Sequence, residues 1–220
     1  MVGGIMKTAA IYDMDGLLFD TERIFQEAWH REAQKLGVSL PDSFANIICG
    51  TSGERQVEIV RQYYPGVDPN EIMKRVQNAS FEAETIFVKK GVFEILSGMK
   101  ERGMVLAVAS SSPLFLIEKN LEKTNTAHFF DTVVSGTQVS RGKPEPDIFL
   151  LAAEKAGVPP TDCYVFEDSI NGIIAGTRAG CASIMIPDLI EPTEEVKQIA
   201  AGIFEDLSSA WHAIVNGEVQ

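Results

Sequence analysis

Four stretches of this chain place acids, hydroxyls or a lysine where apolar runs stop. The first is Ala9-Ala10-Ile11-Tyr12-Asp13-Met14-Asp15-Gly16, a hydrophobic run ending in two carboxylates one residue apart and a glycine. In a buried parallel strand over residues 8–12, alternation puts Asp13 and Asp15 on the same side, at the carboxyl end where open α/β sheets bind ligands. Two close carboxylates resist ionising together. One stays an anion and the other tends to hold a proton, which supplies a nucleophile and a general acid, and the shared charge invites a divalent cation. Asp-x-Asp-Gly is also ordinary turn chemistry, so the string alone does not decide.

The second stretch, Val108-Ala109-Ser110-Ser111-Ser112-Pro113, ends a strand in hydroxyls where a helix starts. Free backbone N–H groups and the positive helix end favour an anion there, and Ser110 can add a hydroxyl hydrogen bond. Ser112 reads as the helix cap, with Pro113 in the first turn. The third, Ser140-Arg141-Gly142-Lys143-Pro144-Glu145-Pro146-Asp147, is a rigid loop holding one lysine between glycine and proline. An ammonium at the sheet edge would neutralise phosphate and the acidic cluster, whereas Arg141 reads as a solvated surface charge. In the fourth, Tyr164-Val165-Phe166-Glu167-Asp168-Ser169, a strand again ends in acids. Magnesium prefers one or two carboxylates plus waters and phosphate oxygens; Asp13 with Asp168 would supply the carboxylates, and Glu167 would assist directly or through water. The plain reading is that Asp168 or Ser169 caps a helix.

These stretches need strands to carry them. Strand-like runs fall at Thr8 to Tyr12, Met104 to Ala109, Thr132 to Ser135, Cys163 to Phe166, Ala182 to Ile186 and, more briefly, Gly202 to Phe204. They alternate with amphipathic helices, such as Val92 to Met99 before Gly103 and Pro146 to Ala156 before Gly157, the pattern of a doubly wound parallel α/β sheet. The first connection breaks the alternation, because some ninety residues follow Asp15 before the second strand. This insertion reads as helical: Phe25, Ala28, Trp29, Ala33 and Leu36 mark one stripe, Val57, Val60 and Tyr64 another, and Pro69 starts a third with Ile72, Val76 and Ala79. It predicts a small cap over the site, with residues 1–19 and 89–220 as core, 20–88 as cap, and hinges near Leu18 to Asp20 and Phe87 to Gly91.

With 220 residues, 45% of them hydrophobic and 23% charged, the chain has the composition of a globular domain large enough for an enzyme. No segment has the apolar length needed to cross a membrane. A net charge of -12 disfavours nucleic acid as a partner, while a small anion can still enter a locally positive pocket. Cys49, Cys163 and Cys181 are too few and scattered for a disulfide framework, two of them fall in expected buried strands, and a reducing cytoplasm fits best. His30, His128 and His212 have no acid or serine partner at motif spacing and read as structural or surface residues.

The ordered set resembles the haloacid dehalogenase-like (HAD) hydrolases, specifically the magnesium-dependent phosphatases and phosphomutases similar to β-phosphoglucomutase. The resemblance rests on Asp13-Met14-Asp15-Gly16 with Asp20-Thr21-Glu22, on Ser110, on Gly142-Lys143-Pro144-Glu145-Pro146-Asp147, and on Glu167-Asp168-Ser169 with Gly172. It implies a Rossmann-like core with an inserted helical cap, working as a monomer on a small phosphorylated metabolite. By resemblance Asp13 attacks phosphorus to form an aspartyl-phosphate, while Asp15 protonates the leaving oxygen and then activates water. Mg²⁺ would be held by Asp13, Asp168 and the main-chain carbonyl of Asp15, with Glu167 nearby. Ser110, Ser111, the backbone at Met14, and Lys143 would hold the phosphoryl oxygens. Thr21, Glu22, Gly50, Thr51 and Ser52 are the candidate substrate-selecting positions. Asp15 argues against dehalogenation, since dehalogenases lack that second acid. The histidine and arginine that a mutase cap would carry are replaced by Phe25 and Gly53, which favours a phosphatase over a sugar phosphomutase. A phospho-acceptor switch without turnover is the alternative from another class.

Overall fold

Six short apolar runs become six parallel strands, and their order sets where a ligand can approach. The computed structural model describes residues 6–48, 51, 53–82 and 85–219. The strands are β1 (Ala9–Tyr12), β2 (Val105–Ser110), β3 (Thr132–Ser135), β4 (Cys163–Glu167), β5 (Ala182–Met185) and β6 (Gly202–Ile203). They lie in the order β3-β2-β1-β4-β5-β6, each neighbouring pair parallel. Each forms within a residue of its expected limits. The helices are α1 (Glu22–Lys35), α2 (Phe44–Ile48), α3 (Gly53–Tyr63), α4 (Pro69–Glu82), α5 (Val92–Glu101), α6 (Leu114–Lys123), α7 (Asp147–Ala156), α8 (Ile170–Ala179), α9 (Glu194–Ile199) and α10 (Leu207–Val215). None of the described helices is long and apolar enough to cross a membrane.

A parallel sheet needs cover on both faces. Strand β1 shows how the sequence provides it. Ala10 and Tyr12, with Met14 beyond, join one apolar cluster with Leu96 and Met99 of α5 and Trp211 of α10. Ala9 and Ile11 join another with Phe149 and Ala152 of α7 and Ala175 of α8. By the same alternation Asp13 falls on the side of Ala9 and Ile11, at the strand's carboxyl end. Cys163 and Cys181 are buried free thiols, the first opening β4 and the second in the turn before β5; Cys49 lies outside the described residues.

The long insertion folds as α1 to α4 around an apolar cluster of its own, including Ala28, Trp29, Phe44, Val60, Tyr64, Ile72 and Val76. Tyr64 closes it by donating its hydroxyl to the carbonyl of Trp29 at 2.7 Å. Two details differ from the sequence pattern. Leu36, expected on the α1 stripe, is 38% exposed, because the helix ends at Lys35 and residue 36 is its cap. Helix α2 has five residues, too few for a period to show. The two tethers run side by side: the Asp20 N–H donates to Phe87 O and the Lys89 N–H to Leu18 O, both at 2.9 Å.

Candidate active site

The chain leaves β1 for β2 on one side and β4 for β5 on the other, so the crevice between β1 and β4 is the switch point of the sheet, where such folds bind ligands. Tyr12 pairs with Phe166 in register, and the Asp13 N–H donates to Phe166 O at 3.0 Å. Asp13 therefore stands beside Glu167. Lys143 reaches into the gap from its loop, with Nζ 2.5 Å from both Asp13 Oδ1 and Glu167 Oε1, and only 6% of its side chain is exposed. The bland reading of Arg141 holds: it pairs with Asp147 at 2.7 Å on the surface.

Glu167 is engaged by protein groups on both oxygens. With Oε1 on Lys143, its Oε2 accepts from the Ser169 N–H at 3.1 Å and the Ser169 hydroxyl at 2.9 Å. Both oxygens are thus committed to orienting protein groups. Ser169 Oγ in turn accepts from the Gly172 N–H and caps α8, as its plain reading had it. A Cβ at Gly172 would collide with the Glu167 carboxyl, which explains a glycine inside that helix.

Asp15 sits in a ring of hydroxyls. Thr21 Oγ1 donates to its Oδ1 at 2.6 Å, and Ser112 Oγ and Ser110 Oγ donate to its Oδ2 at 2.8 and 3.1 Å. Ser112 is therefore not the helix cap it resembled: α6 starts at Leu114 behind Pro113, with no side-chain cap. Ser110 is wholly buried, its oxygen also accepting from the Ser112 N–H at 3.0 Å, so in this arrangement it steadies Asp15.

The electrostatics are lopsided. Asp13, Asp15, Glu167 and Asp168 line the cavity, and Lys143 is the sole cation among its described lining residues. Burial pushes the Asp13 carboxyl up, Lys143 pulls it back, and Glu167 and Asp15 push it up again, to about 8. Burial works against charge on Lys143, but Asp13 and Glu167 outweigh it and hold the ammonium above its ordinary range. No three His, Cys, Asp or Glu side chains among the described residues form a cation cage. A magnesium ion needs fewer, and Asp13 with Asp168 would satisfy it alongside water and phosphate oxygens. Gly16 fits the same purpose: at φ +85° its bare backbone lies against Asp168, where a Cβ would collide with Oδ2.

Above the acids, the inserted helices wall the cavity with Phe25, Trp29, Ile48, Met73 and Val76, and with the polar Thr51, Gln56 and Gln77. Of the expected selecting positions, Thr51 lines the cavity and Thr21 is buried on Asp15 instead. Glu22 opens α1, with its side chain outside the description, as are Gly50 and Ser52. Ser111 lines the cavity as well. Gln56 and Gln77 carried no signal in the sequence, because a glutamine on a helix is ordinary until the facing surface is known. Phe25 and Trp29 were visible as a stripe, but a stripe does not tell core from cavity wall. His212 does find an acid, Glu94 at 3.0 Å, far from the cavity's lining.

Comparisons with known proteins point to one family. A family model described as haloacid dehalogenase-like hydrolase matches residues 10–186. Hexitol phosphatase B of Escherichia coli (strain K12) is 37% identical over 186 residues, covering 81% of this chain and 83% of that protein. A phosphorylated carbohydrates phosphatase of Thermotoga maritima is 34% identical over 179 residues, covering 80% and 83%. The crystal structure of CbbY from Rhodobacter sphaeroides in complex with phosphate superposes with a TM-score of 0.79 at 26% identity, covering 92% of this chain and 96% of that one.

Proposed function

This chain belongs to the haloacid dehalogenase-like hydrolase family and is a phosphoric monoester hydrolase, and we propose that it releases phosphate from a small sugar or polyol phosphate through a phosphorylated Asp13. The observation that carries the reading is the meeting of Asp13, Asp15 and Lys143 at one cavity edge, beneath a wall whose described residues offer hydroxyl-binding amides and no cation.

The Asp13 carboxylate attacks phosphorus, forming an acyl-phosphate bond as the bond to the ester oxygen breaks. Asp15, held by Thr21, Ser110 and Ser112, gives that oxygen its proton. In the second half it takes a proton from water, which attacks the same phosphorus and restores Asp13. Lys143, fixed by Glu167, places a positive charge beside the transferring oxygens, with Ser111 at the cavity wall. Asp13, Asp168 and the Asp15 carbonyl would hold magnesium, which when bound supplies charge that offsets the repulsion between carboxylate and anionic ester. Support for this comes from the balance of charge, since the described lining residues set four carboxyls against one ammonium.

We take residues 20–88 as a lid on a core of 1–19 and 89–220, on the support of its separate apolar cluster and paired tethers. A mutase must also hold a phosphate that is not transferred. The described cap residues lining the cavity include no lysine, arginine or histidine for it, which favours hydrolysis.

The test is phosphate release from hexose, hexitol and nucleotide monophosphates, with magnesium or with chelator. Wild type should turn over sugar or polyol esters only with the cation, and Asp13→Asn should lose at least about 10³-fold in kcat, since the nucleophile is gone. Turnover by Asp13→Asn near the wild-type rate would remove the nucleophile assignment, and full activity in chelator would remove magnesium.

A further inference from the structure

The loop after β5 carries an acid that the scheme above leaves unused. Asp188 stands at the carboxyl edge of the sheet, two residues beyond Ile186, whose N–H donates to Glu167 O at 2.8 Å. Its two oxygens face different neighbours. Oδ1 accepts from Lys89 Nζ at 2.5 Å, and Lys89 is on the second tether of the cap, bonded through its own N–H to Leu18 O. Oδ2 is buried and has no hydrogen-bond partner. A carboxylate oxygen shut away from water without a donor is costly, so the position calls for one.

Gly16 shows where that oxygen lies. A Cβ built there would stand 3.4 Å from Asp188 Oδ2 and would collide with Asp168 Oδ2, so both carboxylates approach the space that the missing side chain of Gly16 leaves open. Asp168 is one of the acids that would hold the cation. Magnesium keeps several of its waters, and groups that accept hydrogen bonds from such waters tune how tightly the ion is held.

We infer that Asp188 is a positioning residue for the cation: Oδ2 accepts a hydrogen bond from a water of the magnesium ion, while Oδ1 is steadied by Lys89 of the cap tether. This rests on the magnesium reading under Proposed function. Lys89 is then a support rather than a participant, because its ammonium touches Oδ1 and leaves Oδ2 free to accept from the water.

Calorimetric titration of the full-length chain with magnesium chloride, without substrate, tests the inference independently of turnover. Asp188→Ala should bind magnesium about 10-fold or more weakly, in line with the loss of such outer partners, and Asp188→Asn should also weaken it. Lys89→Met should stay within about threefold of wild type, because the water's acceptor remains. Wild-type affinity in Asp188→Ala would overturn the inference while leaving the cation site standing. Equal weakening in Lys89→Met and Asp188→Ala would reduce Asp188 to an anchor for the tether. Should Asp188→Ala fail to fold, the Asp188→Asn and Lys89→Met titrations decide between the same outcomes. A wild-type chain that binds no magnesium at all would overturn the cation reading, and this inference with it.

Discussion

Asp13 meets two opposed demands: its role needs a carboxylate, and its surroundings favour the acid. Burial, Glu167 and Asp15 raise its carboxyl to about 8 despite Lys143. A folded value above the unfolded one, which is near 4, means the folded chain holds that proton more tightly. The resulting stability is complete below about pH 4 and is lost as pH rises through about 8. Thermal melts in magnesium-free buffer should show this loss between those limits, and Asp13→Asn, which has no proton to lose, should flatten it and melt higher at pH 8. Parallel curves for the two proteins would refute the shift. The same physics gives the cation a second effect, since positive charge near Asp13 favours its ionised form. At this scale the sequence showed the reactive types well, but it gave Ser112 to a helix cap and did not show that Glu167 pairs with Lys143. Ser112 was reassigned to Asp15, and Glu167 given its lysine, by contacts between distant segments that no local spacing encodes.

Elements are held by their ends as well as their faces, and α10 is the clearest case. Asp206 caps it, with Oδ1 accepting from the Ser209 N–H at 2.8 Å, while Oδ2 pairs with Lys90 at 2.6 Å. Lys90 holds the Asp206 carboxyl down to about 2, against the effect of burial and with help from Ser209. Because the folded value is depressed, this stability is present above about pH 4 and lost as pH falls towards 2, the reverse of Asp13. The Lys90 side chain is 76% exposed, so the cap outweighs the ion pair. Asp206→Ala should cost about 1–2 kcal/mol, read from denaturant midpoints at pH 7, with Lys90→Met costing less. A larger effect for Lys90→Met would reverse that ranking. With Lys89 on Asp188 and Lys90 on Asp206, the second tether is fastened twice to the core. Strand positions were legible because each apolar run is short and bounded by turn residues. Helix α2 was not, since five residues make barely one turn.

At the scale of the whole molecule, the active cavity exists only where the inserted helices meet the core. Among the described residues the core supplies every charge lining it, and the cap supplies Phe25, Trp29, Ile48, Met73 and Val76 with Thr51, Gln56 and Gln77. A largely apolar wall with two amides suits a neutral leaving group bearing hydroxyls, and its described residues give a second phosphate no cation. Sugar monophosphates should therefore be hydrolysed at least about 10-fold more efficiently than the corresponding bisphosphates, a phosphate left without a cation losing more than a kcal/mol. Gln56→Leu and Gln77→Leu should raise KM for a hexitol phosphate more than for a phenyl phosphate. Equal efficiency on mono- and bisphosphates, or equal KM changes on both esters, would remove the cap from substrate choice. What the sequence determined by itself was where the strands fall along the chain and which reactive residues follow the first four of them, because buried parallel strands are written as contiguous apolar runs and the reactive residues stand directly after them or in the loop beyond. What only the tertiary structure decided was which partner each reactive group takes and which insertion side chains face the cavity. Those depend on strand order, on the approach of loops some hundred residues apart such as Lys89 and Asp188, and on the closing of a second apolar cluster over the first, none of which leaves a local pattern.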